Sequence, residues 1–175
     1  MGKKKNHYID NKEFFAEMCV WKKKIEEAEN LGEARPPITD YIGSCFIKIA
    51  EHLAQKPNFA SYPYKDEMIN DSIENCLMYA HNFDPSKSTN PFSYFTQIIY
   101  YAFLRRIEKE KKQNYIKFKL AEMNDDGTMS SWFKENYFEK DNVRLAMREH
   151  FNLSEEDIKR MTPKQKPKKG STGPF

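Results

Sequence analysis

Cysteine is scarce in this chain: Cys19, Cys45 and Cys76 are the only three in 175 residues. They are widely spaced, odd in number and form no CxxC pair, and the four histidines do not flank them. That spacing argues against a zinc site. Each cysteine falls in an apolar helical pattern, so each is expected as a buried free thiol in a reducing compartment. Also lacking is any apolar run long enough to span a membrane. The opening MGKKKNHYID has no apolar stretch after its lysines, so no secretory signal is expected. Asn6 stands where N-myristoylation requires Ser or Thr. These absences predict a soluble, cytoplasmic protein with no membrane partner. Catalytic motifs are missing too: there is no P-loop, GxGxxG, HExxH or GxSxG. Carboxylates pair only as helix-surface neighbours or in the Asp125-Asp126 turn. No enzymatic activity, catalytic residue, metal or cofactor is therefore expected. A large net charge is absent as well. The balance is +3, from 29 Lys and Arg against 26 Asp and Glu, so a nucleic-acid partner must be argued from local clustering.

What is present suffices for a core. Hydrophobic residues make up 39% and aromatics 14%, while 31% charged residues imply a well-solvated surface. The length suits one domain with tails. No segment alternates with period two and no repeat is evident, which predicts an all-α fold, a compact helical bundle. Residues 1–9 read as a flexible basic arm, 10–122 as the helical domain, 123–161 as a C-terminal helical extension, and 162–175 as a disordered basic tail rich in Pro, Lys and Gly.

Within the domain, Asp10 and Glu13 open a helix with Phe14, Met18, Trp21, Ile25 and Ala28 on one face, and Gly32 is its expected stop. Lys22, Lys23 and Lys24 read as a solvated face of it. Thr39 or Asp40 caps a second helix with stripe Ile42, Phe46, Ile49 and Leu53, and Pro57 ends it. Phe59, Tyr62 and Tyr64 form an aromatic connector packed on the core. A third helix, about 64–81, is expected to bury Ile69, Ile73, Cys76, Leu77 and Ala80. Its Glu67, Asn70, Asp71 and Glu74 share another face, a surface of acids and amides that suits either solvent or a basic partner helix. Phe83 is expected to plug the junction that follows.

The chain is organised around the next stretch, NPFSYFTQIIYYAFLRRIEKEKK, 90–112. Asn90 is a cap and Pro91 fits the first helical position, where its missing N–H costs nothing. Phe95, Ile98, Ala102 and Ile107 fall near one face. The remaining face carries Tyr94, Gln97, Tyr100, Tyr101 and Arg105, running out into Arg106, Lys109, Lys111 and Lys112. Aromatics interleaved with amides and cations suit stacking on unpaired bases and pairing with phosphate. A tyrosine-rich core helix with a basic last turn is the plainer alternative. Beyond Met123, Asn124 to Gly127 signals a turn, Trp132, Phe133, Tyr137 and Phe138 an aromatic segment, Val143, Ala146, Met147 and Phe151 a weak helical pattern, and Ser154 with its following acids a short helix.

An acid-and-amide helix followed by an aromatic, basic helix, with Phe83-Asp84 between them, resembles the second conserved region of the sigma-70 superfamily of bacterial transcription initiation factors. The matching run is 66–109, and Phe83-Asp84, Phe92-Ser93 and the ending Arg105-Arg106-Ile107 are its most specific parts. From Asn11 to about Lys112 the chain also resembles the late-transcription sigma factors of T4-type bacteriophages. Trp21-Lys22, Ile49-Ala50-Glu51, Asn58-Phe59, Glu67-Met68-Ile69, His81 to Asp84, Asn90-Pro91, Thr96-Gln97, Ala102-Phe103 and Arg106-Ile107 stand in the order that family leads one to expect.

The resemblance implies a protein that binds host core RNA polymerase and directs recognition and melting of an AT-rich late phage promoter element, in the cytoplasm of an infected bacterium. It implies that Glu67, Asn70, Asp71 and Glu74 dock on a coiled coil of the largest polymerase subunit. Tyr94, Gln97, Tyr100, Tyr101, Arg105, Arg106 and Lys109 would hold the non-template strand of promoter DNA. A phage sliding clamp and a late co-activator are further partners it implies. Those late factors end in an acidic-hydrophobic tail, whereas this chain ends KQKPKKGSTGPF, which leaves Phe151 to Met161 as the alternative clamp contact. Nothing after Lys112 offers the helix-turn-helix of typical sigma factors. Adjacent tryptophans of the superfamily are replaced by Ile98-Ile99 or Tyr100-Tyr101. Two other readings stay open: a helical DNA-binding regulator that works without polymerase, and a bundle that only sequesters polymerase.

Overall fold

The computed structural model describes residues 8–123, 145 and 148–163. The first seven residues of the expected basic arm, the Asn124 turn, the Trp132 segment, Val143, Ala146, Met147 and the tail from 164 lie outside these residues. Among the described residues the fold is all-α, as expected, and no helix is long and apolar enough to cross a membrane. The chain divides into two compact units, 1–107 and 108–175.

In the first unit, helix α1 spans Asn11–Leu31. Asp10 caps it by accepting the Lys12 N–H, and Gly32 ends it in the left-handed region at φ 71°, where a side chain would be strained. Phe14, Met18, Trp21, Ile25 and Ala28 are buried, the face their spacing predicts. The indole N–H of Trp21 donates to the Pro37 carbonyl at 3.0 Å, which fastens the proline loop to the helix. Helix α2, Asp40–Ala54, is capped by Thr39 and buries Ile42, Cys45, Phe46, Ile49 and Leu53. Pro57 then opens a single turn, α3 (Pro57–Ala60), whose Phe59 is buried.

Helix α4 runs Lys65–Tyr79, followed by a 3-10 turn at Ala80–Asn82. Helix α5 runs Pro91–Met123, and the division between the units falls within it. Asn90 accepts the Ser93 N–H at 3.0 Å, the capping role expected of it. Asn11 braces the same point. Its amide donates to the Thr89 carbonyl and accepts the Phe92 N–H.

The core of this unit is aromatic. Phe95 packs at ring-centre distances of 4.4 Å on Phe46, 5.7 Å on Phe14 and 6.1 Å on Phe83. Each of these rings is fully or almost fully buried, and removing one typically costs about 3–5 kcal/mol. Phe83 does plug the junction before α5. Tyr8 and Ile9 correct the extent of the N-terminal arm. Tyr8 stacks on His52 at 3.8 Å and Ile9 is buried, so these two residues belong to the core. Lys22 departs from the solvated reading of its lysine run, because its ammonium donates to the His81 carbonyl at 2.9 Å. Cys45 and Cys76 are buried free thiols, while Cys19 is only half-buried.

The second unit has a smaller apolar cluster of Phe118, Phe151 and Leu153, with Tyr115 and Ile158 against it. Helix α6, Glu155–Met161, starts as expected at Ser154. Its hydroxyl accepts the Asp157 N–H, and the Asp157 carboxylate accepts the Ser154 N–H in return, a capping box that satisfies two end donors at once. Lys111 donates to both oxygens of Asp157, at 2.9 and 3.1 Å.

Candidate nucleic-acid interface

The sequence pattern placed two faces side by side, and their geometry starts from which side of α4 is buried. Met68, Ser72 and Cys76 are buried within the helix and Ala80 follows in the turn. These residues recur every four positions and form one line. Of the expected stripe of Ile69, Ile73, Cys76, Leu77 and Ala80, Cys76 and Ala80 are buried as expected, while Ile69 and Ile73 are only partly buried and Leu77 is about half exposed, so Met68 and Ser72 stand in their place. The physical reason is size. Ser72, Cys76 and Ala80 are small and let α4 approach α2, against which it packs. The Ser72 hydroxyl satisfies itself on the Ile69 carbonyl at 2.7 Å, so its burial leaves no orphaned group. Burial pushes the Cys76 thiol up to about 12, which makes it an inert core residue rather than a nucleophile.

With that line inward, Glu67, Asn70 and Glu74 are exposed. Asp71 is different. Its carboxylate receives Arg106 of α5 at 3.2 Å, with side-chain exposures of 17% for Arg106 and 38% for Asp71. One turn on, Asn75 accepts a hydrogen bond from Arg105 at 2.7 Å. Its own amide N–H donates to the Asp71 carbonyl.

Helix α5 buries Phe95, Ile99, Ala102 and Phe103. Ile98 and Ile107, expected in the buried face, are only packed against the core from its edge. The tyrosines spread over a range of environments. Tyr94 is half-buried, edge-on to Phe83 and Phe95, and burial raises its hydroxyl pKa. Tyr100 is exposed but leans edge-on against Phe59 at 5.7 Å. Tyr101 is the most open, at 58% exposure. Gln97 and Arg105 are exposed. Lys109 is exposed in the second unit.

The first unit brings several of these together. Tyr94, Gln97, Ile98, Tyr101 and Arg105 of α5 line a groove of about 310 Å³ with Asn75 and Tyr79 of α4. Tyr100 is not among its lining residues. The groove offers aromatic faces, two amides that both donate and accept, and one guanidinium. That set matches a flat, hydrogen-bonding ring attached to an anion. Asn75 belongs to the acid-and-amide side of the helix, but neither it nor Tyr79 was expected in the site, because both lie outside the face formed by Glu67, Asn70, Asp71 and Glu74. The available signal was their spacing: Asp71, Asn75 and Tyr79 step by four, along one side of the helix.

Among the described residues no group of three or more His, Cys, Asp or Glu is placed to hold a metal. No protein-family model matches the chain, and no curated protein matches its sequence.

Proposed function

We propose that this chain is a sigma-like initiation factor. It binds bacterial core RNA polymerase through the outward acids of α4 and holds the non-template strand of an AT-rich late phage promoter element on α5. The observation that carries the reading is the groove itself. Tyrosines, amides and an arginine line it from two helices, while Glu67, Asn70 and Glu74 of α4 are exposed.

The two surfaces suit different partners. Carboxylates steer a basic partner helix and repel DNA phosphate. Aromatic rings stack on an unpaired base for about 1–3 kcal/mol each, whatever its identity. A duplex hides those base faces, so the factor works on strands already parted, and AT pairs cost least to part. The net charge of +3 is small, so free protein binds duplex DNA weakly and needs the enzyme to present melted DNA. No bond is made or broken by the factor. Further contacts with a sliding clamp and a late co-activator belong to the same reading.

Run-off transcription with purified bacterial core polymerase on AT-rich late promoter templates tests it. A discrete transcript that depends on the added protein is expected. Failure to copurify with core polymerase would count against the assignment. Tight sequence-specific binding to duplex DNA without polymerase would favour the regulator reading instead.

A further inference from the structure

We infer that Asn75, on the helix otherwise assigned to polymerase, is a positioning residue for the DNA site, aiming Arg105 across the mouth of the α4–α5 groove. This rests on the reading of the groove as a site for an unpaired nucleotide. Three observations carry it. The Asn75 carbonyl oxygen accepts from the Arg105 guanidinium at 2.7 Å. The other end of the same amide donates to the Asp71 carbonyl of its own helix, so the amide is held with its acceptor toward Arg105 and its donor away. Both residues line the groove, beside Tyr79, Tyr94 and Tyr101.

An arginine on a free helix surface samples many rotamers, and ordering it on binding costs entropy. Here one fixed acceptor has already restricted it. A neutral amide does so without cancelling the positive charge, and a guanidinium has five N–H donors, so donors remain for a phosphate. The neighbouring pair contrasts in that respect. Asp71 holds Arg106 with a full negative charge and neutralises it. Asp71 and Arg106 therefore act as a strut between the helices, leaving Arg105 as the cation offered at the groove. Asp71 leaves the docking face, which reduces to Glu67, Asn70 and Glu74.

The test uses the full chain bound to bacterial core polymerase. The probe is a fluorescently labelled AT-rich duplex carrying a premelted bubble, titrated at several salt concentrations. Asn75→Ala is expected to weaken bubble binding on the order of tenfold, as loss of a hydrogen bond to a charged group does. The slope of log affinity against log salt is expected to fall by about one contact. Arg105→Ala is expected to do the same, and the double variant no more than either alone, because Asn75 acts through Arg105. Retention on polymerase stays unchanged in all three. Additive losses, or no loss in Asn75→Ala, would overturn the inference, as would an equal loss of polymerase retention. If Asn75→Ala unfolds, Asn75→Ser is read in the same way. A wild-type complex that holds the bubble no better than polymerase alone sinks the nucleotide-site reading and this inference with it. Bubble binding that survives every variant sinks only the inference.

Discussion

Each unit sets a cation of α5 against an acid from another helix. In the second unit Lys111 lies 2.9 Å from Asp157, whose side chain keeps 9% exposure. The same carboxylate also accepts the Ser154 N–H and hydroxyl. In the first unit Arg106 lies 3.2 Å from Asp71, whose side chain keeps 38%. On distance alone the two pairs look alike. The burial of the acid and the number of donors it accepts separate them. Taking away one partner of a buried, multiply bonded pair strands a charge in low dielectric. At Asp71, the more open acid, water can take the cation's place. The Asp157 pair is thus part of the frame of α6, and the Asp71 pair is a strut that can be lost without collapse.

The largest effect is expected where the acid is most enclosed. Asp157→Ala should cost the second unit about 3 kcal/mol, read as loss of hydrogen-exchange protection across 155–161. Little change there would erase the distinction. Acid should act on the same group. Burial works to raise the Asp157 pKa, but hydrogen bonds from Lys111 and Ser154 outweigh it and hold the carboxyl below its ordinary 3.8. A folded value depressed in this way gives stabilisation that is present above the unfolded value and is lost as pH falls through the folded one. Protection of α6 should therefore drop below about pH 4, and Asp157→Asn should blunt the drop.

A third test probes the groove beside the more open acid. Tyr101→Ala should weaken bubble-DNA binding by polymerase-bound factor by about 1–3 kcal/mol, with the thermal midpoint unmoved. A shifted midpoint would mean the ring is structural. Ser154→Ala removes a helix cap and should cost about 1 kcal/mol in the same exchange measurement. Smallest is Arg106→Gln, which leaves the more open Asp71 carboxylate to water, expected to change global stability by less than about 1 kcal/mol in denaturant titration. A larger loss would put the two pairs in one class.

Much of the bundle was legible in short signals. Asp10, Thr39, Asn90 and Ser154 each announced a helix start and each caps one. Such marks are local, so a linear reading finds them. The rotation of α4 was less legible. Its buried line includes Ser72, whose polarity hides it from an apolar search, and Leu77 is apolar yet exposed. The arrangement of charges was legible in part. That Glu67 and Glu74 share a face follows from helical spacing. That Asp71 turns to Arg106 depends on where a second helix lies, which spacing within one helix does not contain. The groove has the same character: its α5 wall could be read along the chain, while the spacing of Asn75 and Tyr79 puts them on one side of α4 without telling that this side meets α5.

Asn11 has a consequence for how the protein is made. Its side chain grips the Thr89 carbonyl and the Phe92 N–H, a partner 81 residues further along. Everything from α1 to α4 is the loop that this grip closes. Closing so long a loop is entropically slow. On the ribosome, this grip can therefore form only once the start of α5 has left the exit tunnel.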